Sequence, residues 1–263
     1  MKSRVILAFA AACSAIPLQN LQVRDNTTVG ISSSLLESFK LYANFTSASY
    51  CTSNEDPAST PDTAITCPAT VCPLVEAHNA TSIVEFGSND TTLTGIKGYV
   101  ALDPVLQTIT ISFAGSGATI RNWLTDFTFA QIPSPLCANC WIHSGFATAW
   151  SERRSVVLAA VSSALAANPD FSIVVTGHSI GAAVATLAAT ELRNLGHSVS
   201  TYTFGSPRVG NAAFASFVTA AGSNFRMTHV NDPVPQLPPT WLGYQHTSPE
   251  YWLSGSGGSS DAM

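Results

Sequence analysis

Residues 108–113, Thr-Ile-Thr-Ile-Ser-Phe, alternate polar and apolar and put Ile109, Ile111 and Phe113 on one side, the pattern of a β-strand. Upstream, Leu35, Leu36, Phe39 and Tyr42 fall near one helical face behind Ser34, whose hydroxyl can cap a helix while Glu37 reaches back to it. From Thr52 to Pro73 the chain is rich in Ser, Thr, Pro and Asp and reads as a loop. Beyond the strand the period changes repeatedly. Ala147 to Asn168 is helical in pattern and stops at Pro169; the β-branched run Ser172 to Thr176 is a strand; an Ala-rich helix then runs to Gly196. A strand at Thr201 to Phe204, a helix around Ala212 to Ala221 and a strand around Arg226 to Val230 complete the series. Alternating strands and helices predict a single α/β domain, with a largely parallel central sheet flanked by helices.

The first residues add a targeting signal. Lys2 and Arg4 precede an apolar run from Val5 to Ala12, and the small residues Cys13-Ser14-Ala15 follow it. Residues 1–15 read as a secretory signal peptide, with a buried N-terminal helix as the alternative, and residues 16–29 as a candidate pro-segment. No other stretch approaches a membrane span, so the mature chain is expected to be a soluble, extracellular protein. Four Asn-x-Thr sequons, at Asn26, Asn44, Asn79 and Asn89, suit a secreted glycoprotein.

Composition narrows the class. Of the 263 residues 46% are hydrophobic and 10% charged, which excludes intrinsic disorder. A net charge of −5, with no basic cluster larger than Arg153-Arg154, excludes a nucleic-acid footprint. Six cysteines become five once Cys13 leaves with the signal. Cys67–Cys72 and Cys137–Cys140 are natural short-loop disulfides in an oxidising compartment, and Cys51 is left over. Cys137-x-x-Cys140 also has the form of a redox motif or half a metal site, but no second pair accompanies it and His143 alone does not complete four ligands. No cofactor or metal is implied.

The strongest chemical signal is Gly177-His178-Ser179-Ile180-Gly181, which leaves a β-branched strand and opens a helix of small residues. A tight strand–turn–helix needs small neighbours for Ser179 to stand exposed as a nucleophile, and the helix N-terminus favours developing negative charge. Oxyanion donors would be the Ile180 amide and an amide of the loop Phe113-Ala114-Gly115-Ser116. Just after that loop, Ile120, Trp123, Leu124 and Phe127 fall at i, i+3, i+4 and i+7. Periodicity alone favours an ordinary surface helix there over a mobile lid. Asn231-Asp232-Pro233 reads by itself as a turn. With the chain order Ser, Asp, His, only His246 follows Asp232.

Together these segments resemble the filamentous-fungal class 3 lipases, a secreted family that also contains feruloyl esterases. The likeness covers about Ser33 to Leu253. It rests on Tyr50-Cys51, Thr66-Cys67 through Cys72-Pro73, Ser112 to Ser116, Cys137 to Cys140 with His143-Ser144-Gly145-Phe146, and Thr176 to Ser179. It continues through Phe204-Gly205-Ser206-Pro207-Arg208-Val209-Gly210-Asn211, Thr228 to Asp232, and Gly243-Tyr244 to Trp252. The resemblance implies an α/β-hydrolase fold over residues 30–253 and a triacylglycerol lipase acting at an oil–water interface. It implies Ser179 as nucleophile, Asp232 as triad acid, the Ser116 and Ile180 amides as oxyanion hole, and the 120–127 helix as a lid. One departure is Ala114, where the family usually has Arg. Another concerns the base: the family's histidine and last cysteine lie further on than His246, while here 254–263 reads as a flexible tail. The resemblance therefore gives Cys51 a partner near the C-terminus and implies a domain incomplete at that end, while chain order leaves His246 as the candidate for a surrogate base. The alternatives are a feruloyl or other soluble-ester esterase, and a truncated inactive form without its base.

Overall fold

The structure, a computed structural model, describes residues 21–23, 30–87, 92–115 and 129–254. Its strands in chain order are β1 (Leu21–Val23), β2 (Thr63–Ala64), β3 (Thr81–Phe86), β4 (Gly98–Asp103), β5 (Thr108–Phe113), β6 (Gln131–Pro133) and β7 (Trp141–His143). They continue with β8 (Ser172–His178), β9 (Val199–Phe204), β10 (Gly210–Asn211), β11 (Asn224–His229), β12 (Tyr244–Gln245) and β13 (Glu250–Leu253). The helices are α1 (Ser33–Ala48), α2 (Pro73–Ala77), α3 (Ser144–Ala167), α4 (Ile180–Asn194) and α5 (Ala212–Ala220).

Nine strands form the main sheet in the order β1-β13-β11-β9-β8-β5-β4-β3-β2. From β5 to β13 the neighbours are parallel; β4, β3 and β2 on one flank and β1 on the other are antiparallel. The expected largely parallel sheet is thus its centre, with antiparallel borders. Residues 21–23, inside the candidate pro-segment, form the β1 edge against Tyr251 to Leu253. A smaller sheet, β12-β10-β7-β6, lies beside it.

Each face of the main sheet has its own core. Ile109, Ile111 and Phe113 of β5 and Ile173 and Val175 of β8 point into one cluster, with Trp150 and Val157 of α3 and Val184 and Leu187 of α4. On the other face Tyr99, Val174 and Tyr202 meet Leu36, Phe39, Tyr42 and Phe45 of α1. Alternation along each strand feeds both layers at once, as a sheet covered on both sides requires. The polar side of β5 is not solvated. The Ser112 hydroxyl and the Tyr99 phenol both donate to the Phe45 carbonyl, and Thr46 and Thr176 hydroxyls meet at 2.7 Å, so hydrogen bonds as well as contacts dock α1.

One local expectation is corrected. The cap of α1 is Ser32, whose hydroxyl accepts from the Leu35 amide at 3.2 Å, while Ser34 is already inside the helix and Glu37 binds Lys40 instead. Helix α3 begins at Ser144, ahead of Ala147, because the His143 ring accepts from the Gly145 amide and caps it. Both short disulfides form, and Cys51 is free and buried, its thiol pushed up to about 11 by burial. The candidate sites Ser116, Ile120, Trp123, Leu124, Phe127, Asn26 and Asn89 lie outside the described residues, as do segments 1–15 and 255–263.

Candidate active site

Strands β8, β9 and β11 run parallel, and their carboxyl ends stop side by side. The ladder carries one residue further at each step: Ser179 N–H donates to Phe204 O at 3.0 Å and Gly205 N–H to Met227 O at 3.0 Å. Ser179, Gly205 and, after β11, Asp232 therefore collect at one rim, where crossover connections leave a crevice in sheets of this kind.

Ser179 is the junction of β8 and α4, with φ 56° and ψ −125°, a conformation that costs a residue with a Cβ about 1–3 kcal/mol. The turn closes only because its flanks are small. A Cβ on Gly181 would lie 2.3 Å from Phe113 O, and one on Gly177 2.4 Å from Gly181 O. The Ser179 carbonyl accepts from the Ala182 and Ala183 amides, so the helix is hydrogen-bonded from its first turn. The Ile180 amide stands at the positive end of α4, beside the serine.

Ser179 is more covered than a bare turn implies: it is 2% exposed. A Cβ on Gly115 would sit 2.6 Å from the Tyr50 hydroxyl, 2.9 Å from His178 O and 3.1 Å from Ser179 Cβ, so the loop after β5 lies directly on the turn. Tyr50 fixes that approach. Its hydroxyl accepts from the Gly115 amide at 2.7 Å and stands 2.8 Å from His178 Nδ1. Burial pushes the phenol above its ordinary range and the His178 ring down to about 4, so both are neutral near pH 7. The phenol group thus meets two polar partners at once, the Gly115 amide and the neutral His178 ring. Tyr50 joins the loop to the turn from a third element, the end of α1. No sequence signal pointed to this residue as a link, because its two partners are 65 and 128 positions away.

Asp232 is mostly buried. Its Oδ1 accepts from the Val234 amide at 2.9 Å, the turn that Asn231-Asp232-Pro233 suggested, and burial raises its pKa against the lowering effects of that bond and of His229. Its Oδ2 would be 2.6 Å from a Cβ on Gly205, and the His178 Cδ2 and Nε2 atoms 3.5 Å from the same point. Gly205, at φ 55°, leaves the space into which carboxylate and ring converge. Ser179 and Asp232 are thus brought to one rim.

His246 takes a different position. Its Nε2 lies 2.7 Å from Pro235 O and donates there, and burial together with the charges of Arg226 and Arg208 lowers its pKa to about 3. That bond turns the His246 ring toward the Pro235 carbonyl rather than toward the Ser179 hydroxyl or the Asp232 carboxylate. The chain-order argument for His246 as base meets a ring whose one proton is committed to a backbone carbonyl. Among the described residues, no group of three or more His, Cys, Asp or Glu could hold a metal ion, and no helix is long and apolar enough to cross a membrane.

The family model described as Lipase (class 3) matches residues 110–241. The secreted mono- and diacylglycerol lipase 1 of Fusarium solani is 46% identical over 253 residues, covering 95% of this chain and 73% of that protein. Among solved structures, a variant of MDLA from Penicillium cyclopium superposes with TM-score 0.81 at 42% identity, covering 86% of this chain and 82% of the other. A triacylglycerol lipase whose catalytic centre is a serine protease triad gives TM-score 0.76 at 29% identity, covering 89% and 83%.

Proposed function

The chain belongs to the class 3 lipases, and on that premise we propose that it is a secreted serine lipase cleaving partial glycerides, mono- and diacylglycerols, with Ser179 as its nucleophile. The observation that carries the chemistry is the strained turn at Ser179, bedded on glycines and capping α4. The preference for partial glycerides rests on the Fusarium solani relative at 46% identity.

In this reading the Ser179 Oγ attacks the ester carbonyl, the alcohol departs, and water releases the fatty acid from the acyl-enzyme. Charge on the carbonyl oxygen falls to the Ile180 amide, aided by the positive end of α4, with the Ser116 amide as the second donor. Tyr50 is a positioning residue: by holding the Gly115 amide it fixes the backbone that leads into Ser116. Asp232 supplies the buried carboxylate that orients a histidine and stabilises its imidazolium. The His246 bond to Pro235 supports a structural part for that ring rather than the base. The segment at 120–127 acts as the lid that admits lipid.

Fatty-acid release from diolein and triolein emulsions tests this. The parent should prefer diolein, and Ser179→Ala should lose on the order of 10³-fold or more of that activity. Retained activity in Ser179→Ala removes the nucleophile assignment. Faster cleavage of methyl ferulate than of diolein moves the chain to the feruloyl esterases. His246→Ala should keep most of whatever turnover the parent shows; its complete loss would make His246 the base.

A further inference from the structure

Asp232 and β12 are joined by a loop that ends in a short helical turn, Thr240–Leu242, and at its apex Trp241 is 80% exposed. Among the large apolar residues described as exposed only Leu93 is barer, at 92%. By contrast Trp150 is buried at 5%. A tryptophan carries more apolar area than almost any other side chain, and leaving it in water forfeits its burial energy.

The exposure is built in rather than accidental. The Arg208 guanidinium donates to the Gln236 and Pro238 carbonyls, and the Arg208 amide to Leu237 O at 2.7 Å, so the loop is tied to the connection between β9 and β10 before the turn begins. Within the turn, Leu242 N–H donates to Pro239 O and Gly243 N–H to Thr240 O. Gly243, at φ 85°, ends it in the left-handed region, and Gln131 Nε2 donates to Leu242 O at 2.9 Å. These six hydrogen bonds thus hold the turn that carries Trp241 outward.

Its surroundings say what it meets. No charged side chain occurs from Pro233 to Tyr244 or from Phe129 to Trp141, and Ile132 and Trp141 on β6 and β7 are themselves 41% and 45% exposed. The turn is continuous with the candidate site: Asp232 lies upstream, and downstream the Tyr244 hydroxyl reaches the carbonyls of Phe129 and Ala130, at the end of the segment read as the lid. The charged group tied to this loop, the Arg208 guanidinium, is engaged by the Gln236 and Pro238 carbonyls, which leaves little for a protein or nucleic-acid partner recognised through charge. An uncharged lipid surface needs only an apolar body with a polar edge, which an indole supplies at headgroup level. The net charge of −5 further favours neutral over anionic layers.

We propose that Trp241 is a fixed anchor that seats the rim of the site on a neutral acylglycerol-bearing surface, independently of the lid. The proposal deepens the lipase reading and rests on it for the identity of the surface.

The test uses the full chain and phosphatidylcholine vesicles doped with diolein, with Ser179→Ala as the background so that the surface is not consumed. Trp241→Ser should partition roughly ten- to thirty-fold more weakly, while Leu93→Ser stays within about two-fold of the parent. Brominated phosphatidylcholine should quench a share of the tryptophan emission that disappears in Trp241→Phe. Equal partition of parent and Trp241→Ser, or a quenching undiminished in Trp241→Phe, overturns the anchor. So does a concentration-dependent dimer in sedimentation that Trp241→Ser abolishes, since a second copy would then be the occupant. If the parent cleaves diolein but binding ignores Trp241, the anchor fails and the lipase reading stands. Trp241-dependent binding without cleavage by the parent leaves the anchor and removes the lipase reading.

Discussion

Ser179 is the residue at which stability and chemistry oppose each other. Its φ of 56° and ψ of −125° are sterically natural only for glycine, yet a hydroxyl is held there. Relief of about 1–3 kcal/mol of strain, less about 0.5–1 kcal/mol for the extra freedom of glycine in the unfolded chain, leaves a net gain. We therefore expect Ser179→Gly to raise the unfolding free energy by about 1 kcal/mol in urea titrations and to abolish hydrolysis. A destabilised Ser179→Gly would mean that hydroxyl contacts outweigh the backbone cost. Single-residue geometry also separates two sequons that look alike in sequence. Asn44 is engaged at both ends of its amide, donating to Lys40 O at 3.0 Å and accepting from the Leu74 amide at 3.2 Å, in the seam of α1 and α2. Asn79 is exposed at φ 54°, just past the end of α2. Glycopeptide mapping of the secreted protein should find a glycan at Asn79 and an unmodified Asn44; the reverse would mean the α1–α2 seam opens during maturation.

At the scale of elements, the site is a product of how closely α4 can follow β8 and lie on the end of β5. Gly181 sets that distance, since a Cβ there would come within 2.3 Å of Phe113 O and 2.7 Å of Ala114 O, both backbone atoms that cannot swing away. Gly181→Ala should cost on the order of 3 kcal/mol and displace the Ile180 amide, so turnover falls as well. Unfolding midpoints and single-turnover rates check both; unchanged values would mean that α4 shifts without consequence. The same elements explain what could be read from sequence. β5, β8, β9 and the helices between them were legible because each is buried against two layers or repeats at a helical period, as in Ile109, Ile111 and Phe113. Strands β3 and β4 were not. Their alternation is broken, with Ser82, Glu85 and Asp103 buried among the apolar residues, and β3 carries a register shift between Ser82 and Val84. Strands β10 and β12 have two residues each, too few for any period. In the site, Gly177 to Gly181 announced itself because the constraint is local. Tyr50 did not, because its role exists only once α1 has docked on the sheet through Thr46 and Thr176.

Across the whole molecule, two histidines are held neutral far apart in sequence, and together they set how the fold responds to acid. His178 faces Tyr50 on one side and lies near Asp232, which Gly205 brings beside it; His246 faces Pro235, Arg226 and Arg208. Burial lowers the first to about 4 and the second to about 3, against 6.5 for the free side chain. Between those values the unfolded chain binds protons that the folded chain refuses, so acid favours unfolding. The contribution is fully present above pH 6.5 and is lost as pH falls toward 4 for His178 and toward 3 for His246. A unit of pKa is about 1.4 kcal/mol, so His178 alone accounts for about 3 kcal/mol by pH 4. The raised carboxyl of Asp232 acts in the opposite sense, since below its folded pKa the native state takes up a proton more readily, and it offsets part of the loss. The net expectation is a urea midpoint flat above pH 7 and falling steadily between pH 6 and pH 4.5. His178→Asn, which keeps an acceptor for Tyr50, should be less stable at pH 7 but show a shallower acid limb than the parent. An acid limb of unchanged slope in that variant would trace the loss to carboxylates instead and leave His178 without a part in it. The comparison reaches function too, because near pH 4 the folded chain itself takes up the proton, and a doubly protonated ring can no longer accept from the Tyr50 hydroxyl that bears on Gly115 and the turn at Ser179. Hydrolysis by chain that is still folded should therefore fall as pH passes through about 4, and activity that persists in folded protein below that value would mean that the positioning of the site does not depend on that one neutral ring.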